Sequence, residues 1–277
     1  LIFSSCSEEW LEPDVKSSFV PENVFDDKKG FEAQLVTLRK DLRYDRYGNG
    51  NPIMNDYAYS DIAVKKVTSD FRLITPSSYD LGGDLIYLFE NAYEFIKNAN
   101  VIITRIDDIE WASEKEKNSI LAEAYWFRAY WYYRLVNEYG DVPWVGKEVE
   151  GPKLDFYTYS RWAILDKLQK DLEWALEWLP NKTERENLGD VTEGSANSLL
   201  TKVYLANLEF DKAIEAATSV INGPYSLVTE RFGVDEDDPS RNVIWDLHRR
   251  DNKNHSANTE TIYTTISRPD APAETWA

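Results

Sequence analysis

The sequence predicts a mainly α-helical chain in which antiparallel helix pairs stack on one another, joined by irregular loops and a few short extended segments. Three observations carry this prediction. Apolar residues recur at three- and four-residue spacing through most of the chain. Residues 120–145, ILAEAYWFRAYWYYRLVNEYGDVPWV, hold nine aromatic side chains in 26 positions. Residues 199–221, LLTKVYLANLEFDKAIEAATSVI, have the pattern of one tetratricopeptide unit.

Composition narrows the function classes. The 277 residues are 43% hydrophobic and 14% aromatic, which allows a sizeable core. With 49 acidic against 31 basic residues the formal net charge is −18, so a nucleic-acid partner, which needs a basic face, is not expected. No apolar run approaches the roughly 20 residues of a membrane-spanning helix. Cys6 is the one cysteine and His248 and His255 the only histidines, so neither an internal disulfide nor a Cys/His zinc site is expected. The chain opens on Leu1 and not Met, which implies a longer precursor. LIFSSC reads as the end of an apolar segment with two small residues before a Cys, the arrangement of a bacterial lipoprotein signal. Cys6 is then the lipidated residue and the acidic SEEWLEPD after it a tether; the alternative is a lone free thiol.

Along the chain, Phe31, Leu35, Leu38 and Leu42 mark an amphipathic helix over 28–45. Two loops follow, around RYDRYGNGNPIMNDYAYSDI and ITPSSYDLGGD. From Leu85 to Ile106 an apolar stripe through Leu88, Phe89, Ala92, Ile96, Ala99 and Ile103 predicts a helix of about six turns. Ser113 with Glu116 forms a capping box that starts the aromatic helix near Glu114, and Gly140 with Pro143 stops it. Leu121, Tyr125, Ala129, Tyr132 and Val136 line one side of it, and Ala124, Phe127, Trp131 and Leu135 much of the other. Only a strip at Glu123, Tyr130, Arg134 and Asn137 is polar. A helix apolar nearly all round is packed by neighbours on several sides, so its rings are read as core.

Trp162, Leu165, Leu168, Leu172, Ala175, Leu176 and Leu179 mark the next helix, stopped by Pro180, and Thr192 caps the one after with Glu193 in its first turn. In the tetratricopeptide unit Leu200, Tyr204, Phe210, Ala213 and Ile214 take the large and small packing positions. One such unit cannot bury its apolar face alone, so other pairs must stack on it. NVIWDLH and TETIYTTI, with β-branched alternation, read as extended.

The string EAYWFRAYWYYRLVNEYGDVPWV resembles the signature of SusD-like (SusD/RagB) proteins at Glu123-Ala124, Arg128-Ala129, Leu135-Val136 and Tyr139-Gly140-Asp141-Val142-Pro143. TYSRWAILDKLQKDLEWALEWLP, GDVTEGSANSLLTKVYL and FDKAIEAATSVINGPYSLV continue the likeness in order, over about residues 6–270. Family chains are considerably longer, so a C-terminal part is expected beyond this sequence. The resemblance implies a tether over 1–27 and a single domain over 28–277, a right-handed superstructure of tetratricopeptide pairs. It also implies a lipid-anchored, surface-exposed outer-membrane protein that captures oligosaccharide or polysaccharide for a SusC-like TonB-dependent transporter without cleaving it.

Sugars offer flat C–H faces and a rim of hydroxyls, so their sites want exposed rings with carboxylate, amide and guanidinium groups. The loops supply these: Asn55, Asp56, Tyr57, Tyr59 and Asp61 in one, Arg72, Tyr79, Asp80 and Asp84 in the other, with Gly82-Gly83 allowing close backbone approach. Trp276 in the Pro-rich tail is a further platform. The structural alternative is that these are solvated loop residues. His248, Arg249, Arg250 and Lys253 form the one basic cluster, suited to an acidic glycan, the transporter or lipid head groups, or else to a solvated loop. No cofactor is expected. Asp235, Asp237 and Asp238 are oxygen groups of the kind that hold Ca²⁺, though the run lacks the spacing and Gly of an EF-hand loop. The competing functions are a glycoside hydrolase, which needs two converging carboxylates that no spacing singles out, and a tetratricopeptide scaffold for peptides.

Overall fold

The computed structural model describes residues 24–46, 84–149, 151–185, 189–253 and 255–265. The elements are α1 (Lys28–Asp41), α2 (Arg43–Arg46), α3 (Asp84–Arg105), α4 (Glu114–Tyr139), β1 (Val142–Pro143), β2 (Thr158–Tyr159), α5 (Arg161–Leu176), α6 (Glu193–Ala206), α7 (Phe210–Ile221) and α8 (Val243–His248). From α3 to α7 each helix packs on the next, and α1 lies across α3 and α4. The two short strands pair antiparallel, Val142 opposite Tyr159 and Pro143 opposite Thr158. The predicted helical stack is therefore present.

α4 is its centre. Ser113 accepts the Glu116 N–H at 3.1 Å and starts the helix where expected. Glu116 does not close the reciprocal bond to Ser113; its carboxylate accepts from the Ala112 N–H at 3.2 Å and pairs with Lys28 at 2.7 Å. The capping box has become a tie to α1. Gly140, at φ 73°, ends the helix and donates to the Val136 carbonyl. Phe127, Trp131, Tyr132 and Leu135 are wholly buried, as are Phe31 and Leu38 of α1.

The polar strip of α4 faces protein over most of its length. Glu123 accepts two hydrogen bonds from the Arg39 guanidinium, at 2.7 and 2.9 Å, and Tyr130 donates to Asp45. Arg134 lies 3.4 Å from Asp45, while Asn137 stays exposed. Burial pushes the Glu123 carboxyl above its usual range, and Arg39 pulls it part of the way back. Charges at 39 and 123 thus seat α1 on a face that apolar periodicity leaves blank.

A second carboxylate on α1 makes stability pH-dependent. Asp41 accepts from Asn98 at 2.9 Å, and burial raises it from 3.8 to about 6. The folded state therefore holds a proton that the unfolded chain releases near 3.8, so stability falls as pH rises from about 4 to about 6. Asp41→Asn keeps an acceptor for Asn98 and removes the charge. It is expected to stabilise the protein by about 1–2 kcal/mol at pH 7 and by little at pH 4. Thermal melts of both proteins across that range check this; parallel curves would refute it.

In the tetratricopeptide hairpin, Thr192 caps α6 as expected, but its partner in the box is Ser195. Leu200, Tyr204 and Ala213 are buried, and the Tyr204 hydroxyl donates to Glu173 of α5 at 2.8 Å. Phe210 and Ile214, assigned packing positions by the repeat pattern, are 57% and 64% exposed. They lie with Leu205, Leu208 and Ile221 among the exposed large apolar residues of the hairpin, because among the described residues α7 packs chiefly on α6 alone. The pattern identifies positions that want a further layer, and the described residues supply none.

NVIWDLH is the clearest correction. It is helix α8, not an extended segment. Asn242 caps it by accepting the Trp245 N–H at 3.0 Å, and Arg231 grips the buried Asp246 carboxylate at 2.5 and 3.1 Å. A cap and an ion pair from outside the segment outweigh the weak β preference of Val and Ile. The described part of TETIYTTI, residues 259–265, forms no strand either; Thr259 is bonded to both backbone and side chain of Ser226 and Glu260 accepts the Val228 N–H.

Candidate functional site

Helix direction gathers the loop-bearing ends on one side of the stack. α1 runs with α4: Lys28 meets Glu116 near their starts, and Asp45 meets Tyr130 and Arg134 farther along. α3 and α5 run against α4, so Phe89 packs on Tyr139 at 5.3 Å and Arg161 donates to Asn137 at 3.2 Å. The close of α2, the start of α3, the close of α4, the β-ribbon and the start of α5 therefore share one end. Here the described chain stops at Arg46 and resumes at Asp84.

Of the candidate site residues, Asn55, Asp56, Tyr57, Tyr59, Asp61, Arg72, Tyr79 and Asp80 lie outside the described residues, as do Gly82, Gly83, Trp276 and Cys6. Asp84 is the first residue of α3, so its backbone stands at this end.

From this end the segment Val142–Glu148 runs back along the stack, stitched to α3 and α4. Tyr93 donates to the Pro143 carbonyl at 2.7 Å, and the Tyr132 hydroxyl accepts the Val145 N–H at 2.6 Å. Asn100 donates to Val145 O at 2.8 Å, Thr104 accepts the Glu148 N–H at 2.9 Å, and Arg105 pairs with Glu148 at 2.7 Å. Burial pushes the phenols of Tyr93, Tyr132 and Tyr139 up, so they stay neutral. Arg128 locks the set. It donates to Asn100, to Gly146 O and to Asp171, at 3.1, 3.0 and 2.7 Å. Its guanidinium also lies 5.0 and 5.2 Å from the rings of Tyr125 and Trp144. Trp144 in turn stacks on Tyr132 at 4.3 Å. The aromatic helix is thus core on its buried faces and a row of struts along the segment that follows it.

That segment leaves the ribbon at Pro143 and the chain returns to it at Thr158. The return arm differs in character: residues 151–160 are all exposed. Leu154, Phe156, Tyr157 and Tyr159 are 98%, 41%, 75% and 48% exposed. Trp162, assigned by periodicity to the buried stripe of α5, is 47% exposed, with Arg161 5.0 Å over its ring. Sequence reasoning passed over this row. Five large apolar residues fall in positions 154–162, but with Phe156, Tyr159 and Trp162 at three-residue spacing they read as packing, and burial alone sets them apart.

Several of the remaining candidates bond within the fold. In the acidic run, the carbonyls of Asp235, Asp238 and Arg241 turn onto the Arg231 guanidinium. The Asp235 carboxylate accepts from Trp245 and pairs with Arg249, and that of Asp238 accepts from Ser240. A guanidinium therefore occupies the centre of this oxygen cluster. Arg249, from the basic cluster, is the ion-pair partner of Asp235 and Asp251, and His248 Nδ1 is bonded to Ile244 O. The segment 259–263 crosses α4 and α6: Lys182 donates to Thr259 O and Thr261 O, and Tyr263 packs on Trp126 at 5.1 Å.

Comparison with known proteins agrees with this architecture. The family model for SusD-like proteins, described as starch-binding and associating with the outer membrane, matches residues 9–205. SusD-like protein P2 of Formosa agariphila is 32% identical over 145 residues, 52% of this chain and 28% of the relative. SusD-like protein P25 of the same organism is 23% identical over 269 residues, 89% of this chain and 50% of the relative. Among solved structures, a laminarin-binding SusD-like protein superposes with a TM-score of 0.60 at 24% identity, over 74% of this chain and 47% of that one. The chain thus spans half or less of the length of the relatives it matches. The ordered helix pairs, the α4 signature with its buried Glu123 and Arg128, and the match over most of the chain agree: this protein belongs to the SusD-like family of carbohydrate-binding proteins.

Proposed function

We propose that this protein captures glycan at a cell surface and hands it, uncleaved, to a SusC-like TonB-dependent transporter in the outer membrane. The observation that carries the reading is the family match over residues 9–205, which spans both candidate loops. The solved relative described as laminarin-binding supports a polysaccharide ligand. So does the rigid end from which the described chain departs at Arg46 and to which it returns at Asp84, since a binding loop works best on a fixed scaffold. Tyr57 and Tyr79 are assigned to stack on sugar rings, with Trp276 a further platform. Asp61, Arg72, Asp80 and Asp84 read the hydroxyl rim. Cys6 carries the lipid that holds the protein to the membrane.

Affinity electrophoresis of the protein from Ser7 onward, against neutral and acidic polysaccharides, tests this. Retardation by at least one glycan is expected, with no new reducing ends in the lane. Tyr79→Ala and Asp61→Ala are each expected to weaken it by about tenfold, the loss of one stacking ring or one charged hydrogen-bond partner. New reducing ends would replace capture by hydrolysis. Fatty-acid labelling in cells, lost in Cys6→Ser, is the expected result for the anchor.

A further inference from the structure

The return arm of the 142–159 excursion carries an aromatic row that the capture reading leaves without a role. Exposed Tyr and Trp rings forgo burial, so a cluster of them on one short segment calls for a cause outside the fold. These rings are also held in place. Pairing of Val142 with Tyr159 fixes the arm. The Asp141 carboxylate accepts the Arg161 N–H at 2.8 Å, and Ser160 caps α5 by accepting the Ala163 N–H at 3.2 Å. Arg161, bonded to Asn137, lies over Trp162 and braces that indole. Tyr159 stands in the ribbon, Tyr157 two positions before it, and Trp162 in the first turn of α5. All of this stands at the end of the stack where Arg46 and Asp84 lie.

We infer that Tyr157, Tyr159 and Trp162 form a second stacking platform, which takes a neutral polysaccharide by the C–H faces of its sugar rings. The inference rests on the capture reading and specifies it further. The rings present aromatic faces, with the phenol hydroxyls available to sugar hydroxyls. A net charge of −18 disfavours a polyanion. A second platform on one molecule lets a polymer engage both at once, whereas a short oligosaccharide engages one. The row therefore sets a preference for chain length and adds little to the binding of a single short sugar at the loops.

The test compares wild type with the triple variant Tyr157→Ala/Tyr159→Ala/Trp162→Ala. The probes are soluble starch, laminarin, xylan and galactomannan in affinity electrophoresis, with trisaccharides of each by titration calorimetry. The triple variant should bind the retained polymer at least about tenfold more weakly, with trisaccharide affinity unchanged. Its melting temperature should match wild type, because the removed rings are exposed, and Trp162→Phe should restore most of the polymer affinity. If the triple variant binds polymer as wild type does while Tyr79→Ala loses it, the platform is wrong and the capture reading stands. Wild type retained by none of the four polymers overturns both. If the triple variant keeps polymer binding and instead abolishes a concentration-dependent dimer, the row is a self-association face and the inference falls.

Discussion

Arg128→Ala is expected to cost about 3–5 kcal/mol in urea denaturation at pH 7, the loss that follows when one partner of a buried ion pair is removed. Against a total of about 5–15 kcal/mol for a domain, that leaves a marginal fold. Arg128 is 2% exposed and Asp171 5%, so the carboxylate, left with Lys167 alone, cannot recover its hydration. The same substitution strips donors from Asn100 and Gly146 O and empties the space between Tyr125 and Trp144. Arg128→Lys should recover little of this, because an ammonium lacks the planar fork that meets three acceptors while stacking between rings. Asp171→Asn should cost less: Arg128 would keep its other acceptors and both rings, and the partner of Lys167 would become neutral on a helix edge. A loss below about 1 kcal/mol for Arg128→Ala would show that the pair does not organise the 142–148 segment.

Trp131→Ala is expected to cost about 3–5 kcal/mol as well, by a different route, since truncating a wholly buried indole loses its transfer energy and leaves a cavity. Phe95, 4.6 Å away across the α3–α4 interface, and Tyr130 at 5.3 Å cannot both move in to fill it. Trp162→Ala, at a 47% exposed position, should stay within about 0.5 kcal/mol of wild type. Apolar periodicity treats the two tryptophans alike. Equal losses on parallel denaturation curves would mean that the described exposure of the return arm is wrong.

The starts of α4 and α6 were legible because a cap is local: Ser113 and Thr192 each satisfy an N–H three residues on, whatever the rest of the chain does. The stripes of α1, α3 and α5 were legible for the same reason, one period of 3.6 being visible within a single segment. Failures occurred where a partner is distant. Nothing near Glu123 reveals Arg39, 84 positions away, and nothing inside NVIWDLH reveals that Arg231 will hold Asp246. The repeat pattern identified Phe210 and Ile214 as packing positions but could not say which segment packs there. The loops chosen for sugar binding rest on residue chemistry and family resemblance, whereas the aromatic return arm is visible only once burial is known.

The open side of α7 bears on how the molecule comes apart. In a stack of helix pairs each layer is stabilised chiefly by its immediate neighbours, so opening free energies follow the number of covered sides. α4 is flanked by α1, α3 and α5, whereas α7 rests mainly on α6. Amide hydrogen exchange should therefore form a gradient across the stack, with α7 opening most often and the aromatic centre only in global unfolding. Any element that later covers Phe210 and Ile214 would flatten that gradient from a distance, without touching the end of the stack where α3 begins and α4 closes.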